Sequence, residues 1–129
     1  MKKLSLAIIL SCIVAAVFTS CSSNSPRRVA ETALKCLQKE DYKGLLDCVY
    51  FKENVEKNRA FYLQIFEEKV EKNPDAILES YKFVSEEIDE EIGKATVVFE
   101  TTYKDGNVKT ESFDMICDED GKWWIDSKK

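Results

Sequence analysis

Val29, Ala33, Cys36 and Leu37 fall three or four positions apart, the spacing that lays apolar side chains along one side of a helix. Ser25 ahead of Pro26 offers a capping hydroxyl and a favoured first helical residue, so the first helix is predicted over about 26–38. Asp41 caps a second, short helix carrying Leu45, Cys48 and Val49 on one side, and Gly44 weakens it. A third helix is predicted from about Glu53 to Glu71. Val55, Tyr62, Phe66 and Val70 face inward on it, Phe61 and Ile65 widen the stripe, and Asn73-Pro74 ends it.

Beyond Pro74 the period changes from helical to alternating. Tyr81, Phe83 and Ser85 share one face of a first strand, whose end is blurred by the acidic run 86–91, itself read as a solvated connection. Ala95, Val97, Phe99, Thr101 and Tyr103 alternate with Thr96, Val98, Glu100 and Thr102, the clearest strand signal in the chain. Asp105-Gly106-Asn107 supplies a hairpin turn into a strand over 108–117, with Phe113, Met115 and Cys117 on one face. Asp118-Glu119-Asp120-Gly121 turns the chain once more into Trp123-Trp124-Ile125-Asp126. Helices first and an antiparallel meander afterwards predict an α+β domain, with three helices packed on a curved sheet of about four strands.

The N-terminus carries a separate signal. Lys2 and Lys3 precede an apolar stretch from Leu4 to Phe18, broken only by Ser5, Ser11 and Cys12. That is shorter than the about 20 residues a membrane span needs, and its charge order fits a secretory signal segment. Phe18-Thr19-Ser20-Cys21 then places modest residues before a cysteine. These residues resemble the lipobox of bacterial lipoprotein precursors, with Phe18 in place of the commoner leucine. The resemblance implies cleavage before Cys21 and lipid, diacylglyceryl and a fatty acyl such as palmitate, attached to it. Cys12 is the competing acceptor, but it leaves an apolar run of only Leu4 to Leu10. The expected organisation is a signal peptide over 1–20, a lipidated cysteine and tether over 21–25, and one domain over 26–129.

Charge and composition narrow the field. Removing the first 20 of 129 residues leaves 109, enough for one domain, and losing Lys2 and Lys3 moves the formal charge from −5 to −7. An acidic chain is a poor match for nucleic acid or for unaided adhesion to anionic lipid. Cys36, Cys48 and Cys117 remain, an odd number with no zinc spacing, and the chain has no histidine, so neither metal nor cofactor is expected. Asp118, Asp120 and Gly121 form part of a calcium-loop pattern, without its further ligands and terminal glutamate.

The order of elements resembles the nuclear transport factor 2-like, or cystatin-like, cone fold. More closely, Ser25-Pro26, Asp41-Tyr42 and Gly121-Lys122-Trp123-Trp124-Ile125-Asp126 resemble small Bacteroidota-type lipoproteins grouped as domain of unknown function 4878. Enzymes of the wider cone-fold group work between helices and sheet, some with a histidine–aspartate pair and one with an aspartate base and a tyrosine donor. Without histidine only the second inventory exists here, in Tyr62, Tyr81, Tyr103 and Asp114. Asp114 has the opposite parity to Phe113 and Met115 and is expected to face away from the helices.

Tyr62, Phe66, Phe83, Phe99 and Phe113 are the candidate lining of a pocket between helices and sheet, a packed core being the plainer alternative. Val98, Ile116 and Trp124 fall on the other sheet face and form a candidate interface for a homodimer, while Trp123 turns inward. The expectation is therefore a membrane-anchored, periplasm-facing envelope lipoprotein whose domain binds a small apolar ligand or a protein and catalyses nothing. The alternatives are a small isomerase or hydro-lyase using a buried carboxylate, and a purely structural envelope component.

Overall fold

The computed structural model describes residues 24–128, so the signal segment, Cys12 and Cys21 lie outside the described residues. Helix α1 spans Pro26–Gln38; the Ser25 hydroxyl accepts the Arg28 N–H at 3.4 Å, as the cap motif predicts. Its buried side is Val29, Ala30, Ala33 and Leu34, with Cys36 and Leu37 half-buried beside it.

Helix α2, Tyr42–Leu46, is capped by Asp41, whose Oδ1 accepts the Gly44 N–H at 3.0 Å. Gly44 does more than weaken this helix. A Cβ there would lie 2.5 Å from Asp41 Oδ2 and 3.0 Å from Cys36 Sγ, so glycine lets α2 close onto its own cap and onto α1. Val49 is not helical. Val49–Tyr50 form a short strand, β1, that sequence periodicity could not reveal because two residues show no period.

Helix α3 runs over Val55–Lys72, close to the predicted span, but it lies on the fold more loosely than its stripe suggested. None of its residues is fully buried: Val55 is 46 % exposed and Phe61 54 %, while Tyr62, Leu63, Phe66 and Val70 are half-buried.

The sheet has five strands in the order β1-β5-β4-β3-β2, where β2 is Leu78–Asp89, β3 Lys94–Tyr103, β4 Val108–Cys117 and β5 Trp123–Asp126. Four form the predicted antiparallel meander. The fifth, β1, pairs parallel to β5 with Val49 opposite Ile125. The acidic run is not a connection, since Glu86 to Asp89 continue β2 against Val97 to Lys94. A bulge between Phe83 and Ser85 also shifts the register there. Phe83 pairs with Phe99 on the helix-facing side, whereas Ser85 pairs with Val98 on the outer side, so Tyr81, Phe83 and Ser85 do not share one face.

The core lies between α1 and the inner face of β2–β4. Val29, Ala30 and Leu34 meet Leu78, Ala95, Val97, Phe99 and Met115. Phe99 is 0 % exposed and takes the rings of Tyr81, Phe83 and Phe113 edge-on at 5.9 to 6.0 Å between centroids. Thr101 is the buried polar residue of this face, and its hydroxyl donates to the Lys109 carbonyl at 3.3 Å.

Candidate functional site

The five aromatic residues expected to line one pocket divide into two groups. Phe83, Phe99 and Phe113 form the packed aromatic centre just described and leave no opening. Tyr62 and Phe66 sit on the inner side of α3, away from them. The Tyr62 ring stacks on Phe51 at 5.8 Å, and the Phe66 ring lies almost parallel to Tyr42 at 5.3 Å. One hollow lies where α3 passes over the far end of the sheet.

That hollow is a partly open cleft of about 180 Å³. Leu37 of α1, Tyr42 of α2, Phe66 and Val70 of α3, and Ile77 and Leu78 at the start of β2 supply its apolar walls. Tyr103 of β3 and Glu111 of β4 supply its polar floor, and Lys69 stands at its rim. A second hollow of about 170 Å³ lies on the other side of Phe66, bounded by Leu46, Val49, Phe51 and Tyr62. Phe66 is thus the partition between two small spaces under one helix.

At the floor, the Tyr103 hydroxyl donates to Glu111 Oε1. Burial, and next the hydrogen bond to Glu111, push the Tyr103 hydroxyl up to about 12. The phenol therefore stays protonated at any physiological pH and remains the donor of the pair. Glu111 was legible in the sequence, because it shares parity with Phe113 and Met115. Asp114, by contrast, has the opposite parity. Asp114 does face outward, where its Oδ2 meets the Lys128 ammonium at 2.9 Å. Neither Tyr62 nor Tyr81 donates to a carboxylate: Tyr62 packs on Phe51 and Phe61, and Tyr81 packs on Phe99, its hydroxyl pushed up by burial and next by the charge of Glu31.

On the outer sheet face, Val98, Ile116 and Trp124 point the same way, as parity requires, with Ile116 opposite Trp124. They do not make one apolar patch. Val98 pairs with Ser112, and the next outward pair, Thr96 with Asp114, stands between Val98 and Ile116. The Asp114–Lys128 ion pair crosses that gap. Trp124 is also engaged locally. Its indole N–H donates to Asp118 Oδ2 at 2.9 Å, the Lys122 ammonium lies 4.1 Å above its ring, and Tyr50 packs edge-on at 6.2 Å. Trp123 turns inward and joins the margin of the core with Ile125.

Asp118 also closes its own turn, accepting the backbone N–H groups of Asp120 and Lys122 at 2.9 Å each. The Trp124 indole first, and then these backbone donors, hold its carboxyl below the usual carboxylate range. A carboxylate occupied by three N–H donors is turn chemistry and not a cation loop, and no cluster of potential metal ligands forms among the described residues. Cys36, Cys48 and Cys117 are free thiols, each half-buried. Burial, with the neighbouring Cys36 next, pushes the Cys48 thiol up to about 11, so it is a poor nucleophile.

The geometry has a counterpart among solved structures. The chain superposes on a Campylobacter jejuni protein described as a candidate NTF2-like transpeptidase, with a TM-score of 0.61 and 14 % sequence identity over 79 % of this chain and 97 % of that one. At that identity the likeness speaks for the fold alone. No known family's sequence profile matches the chain. No curated protein matches it.

Proposed function

We propose that this NTF2-like domain is a non-catalytic binding module of a lipid-anchored, periplasm-facing envelope protein, of the kind grouped as domain of unknown function 4878. Its ligand site is the cleft under α3. The observation that carries this is the composition of the cleft, whose apolar and aromatic walls surround one polar point made by Tyr103 and Glu111. Small-molecule sites have that form, a mostly apolar wall with a few placed polar groups. A space of about 180 Å³ suits a compact ligand, and the second Glu111 oxygen suits a ligand that donates a hydrogen bond.

Two measurements test the proposal. Indole, small and apolar with one N–H donor, should shift the amide resonances of Phe66, Val70, Tyr103 and Glu111. Val70→Trp, which fills the cleft from its wall, should abolish those shifts. Shifts scattered over the outer sheet, or unchanged by the filling residue, would remove the cleft from consideration. For the anchor, Cys21→Ser should leave unprocessed and unacylated precursor while Cys12→Ser changes little, as read by mass spectrometry of the N-terminal peptide.

The same pair of residues is what a small isomerase or hydro-lyase would draw on, with Glu111 in the place first considered for Asp114. Such chemistry needs the carboxylate free to take a substrate proton and the phenol free to steady the resulting anion. Here each holds the other. That mutual hydrogen bond favours recognition over turnover.

A further inference from the structure

Asn24, the first described residue, is fastened to the far end of the chain. Its side-chain amide donates to the Trp123 carbonyl at 3.1 Å, and its side-chain oxygen accepts the Trp123 N–H. Asn24 is therefore pinned to the start of β5. Three peptide steps separate Asn24 from Cys21, a reach of about 11 Å at full extension. If Cys21 carries lipid, the surface around Asn24 rides at headgroup level.

That surface is a groove of about 330 Å³ running between α1 and β5. Arg28, Lys122, Trp123 and Trp124 line it, with Thr32 and Asp47. Asp47 is already held by Arg59 at 2.7 Å; neither Arg28 nor Lys122 enters an ion pair among the described residues, and the Lys122 ammonium lies over the Trp124 ring within the field of Asp118. The acid at its margin is Asp118, which is bonded to Trp124 and to its own turn. Two cations with N–H donors and a pair of amphipathic indoles match the zone where phosphates meet acyl chains.

We propose that this groove is the face on which the domain rests against its bilayer, taking phospholipid headgroup phosphate between Arg28 and Lys122. The inference rests on anchoring at Cys21. Two basic residues are too few to hold an acidic domain on lipid unaided, but the anchor makes their contact intramolecular and supplies the effective concentration. The contact fixes orientation, and the lipid fixes attachment.

The chain has two tryptophans and both border the groove, Trp123 from the core side and Trp124 from the outer side, so intrinsic fluorescence reports on this end of β5. Full-length acylated protein is reconstituted in phosphatidylethanolamine–phosphatidylglycerol vesicles containing a lipid with a nitroxide on its headgroup. Tryptophan emission should be quenched, and Arg28→Glu with Lys122→Glu should restore it. Should that pair disturb folding, seen as a changed near-ultraviolet dichroism spectrum, Arg28→Gln with Lys122→Gln takes its place with the same expectation. Acylated wild type without quenching, or quenching equal in the charge variants, overturns the inference while leaving the anchor standing. An unacylated Cys21 peptide in the same preparation ends the anchoring reading and this inference together.

Discussion

The Tyr103 hydroxyl reaches the Glu111 carboxylate although the two residues are not opposite each other in the sheet; Glu111 pairs with Phe99, and Thr101 with Lys109 lies between. A diagonal contact of this kind joins the last turn of the β3–β4 hairpin to its middle. Its consequence appears in alkali. The folded Tyr103 pKa is raised, from 10.0 to about 12, so the folded chain holds a proton that the unfolded chain releases earlier. Tyr103's contribution to stability is complete below pH 10 and drains away across pH 10 to 12. Tyr103→Phe should make that fall shallower and cost about 1 kcal/mol at neutral pH, the worth of one hydrogen bond. Chemical denaturation at a series of pH values measures both.

Phe99→Ala and Phe66→Ala should part company. Phe99 is fully buried under three other rings, and its loss should cost about 3–5 kcal/mol. Phe66 is half-buried and separates two hollows. Its loss should cost well under half as much and join them, changing which ligand sizes bind. Urea midpoints with indole titration distinguish the two.

Trp123→Ala should destabilise the domain by roughly 3 kcal/mol, the low end for a large aromatic at a core margin. Trp124→Ala removes a hydrogen bond to a carboxylate and frees the Asp118 turn, worth about 1.5 kcal/mol. Equal losses in thermal unfolding would mean that the inward and outward roles are wrongly assigned. Since Val98 and Ile116 are parted by Thr96, Asp114 and Lys128, sedimentation should show no change of mass on losing Trp124.

Gly44→Ala should cost about 2 kcal/mol, more than helix propensity alone would return. The added methyl meets the Asp41 carboxylate and the Cys36 sulfur, so it strains the packing and pushes away the α2 cap at once. Gly106→Ala, at the open hairpin tip where no atom lies within 4 Å of the new carbon, should act only through its positive φ of 87°. Paired melting curves of the two variants separate crowding from backbone strain.

Much of the architecture was readable from the residues because it rests on repeated patterns. Alternation from Ala95 to Tyr103 gave β3 its inner face, Ser25-Pro26 opened α1, and parity sent Trp123 and Trp124 to opposite sides. What escaped was set by single events without a period. The bulge after Phe83 reverses one strand end, and β1 is two residues long and exists only because β5 offers it an edge. The loose seating of α3 was hidden for a different reason. Its stripe records which residues prefer to be covered, and only the sheet's width and the position of α1 decide how much covering there is. The cleft lies in that shortfall, although the parity of Tyr103 and Glu111 already placed both on its side of the sheet.

The last strand of the chain serves two early segments. It receives β1 along one edge, and at its first residue it holds Asn24. Both partners leave the ribosome about a hundred residues ahead of the docking site they share, in the case of Asn24, and some seventy-five ahead in the case of β1. Neither can settle until residues 123–126 arrive, so the sheet closes only once β5 has been made. The segment at Asn24 is locked in place only when the last strand is there to hold it.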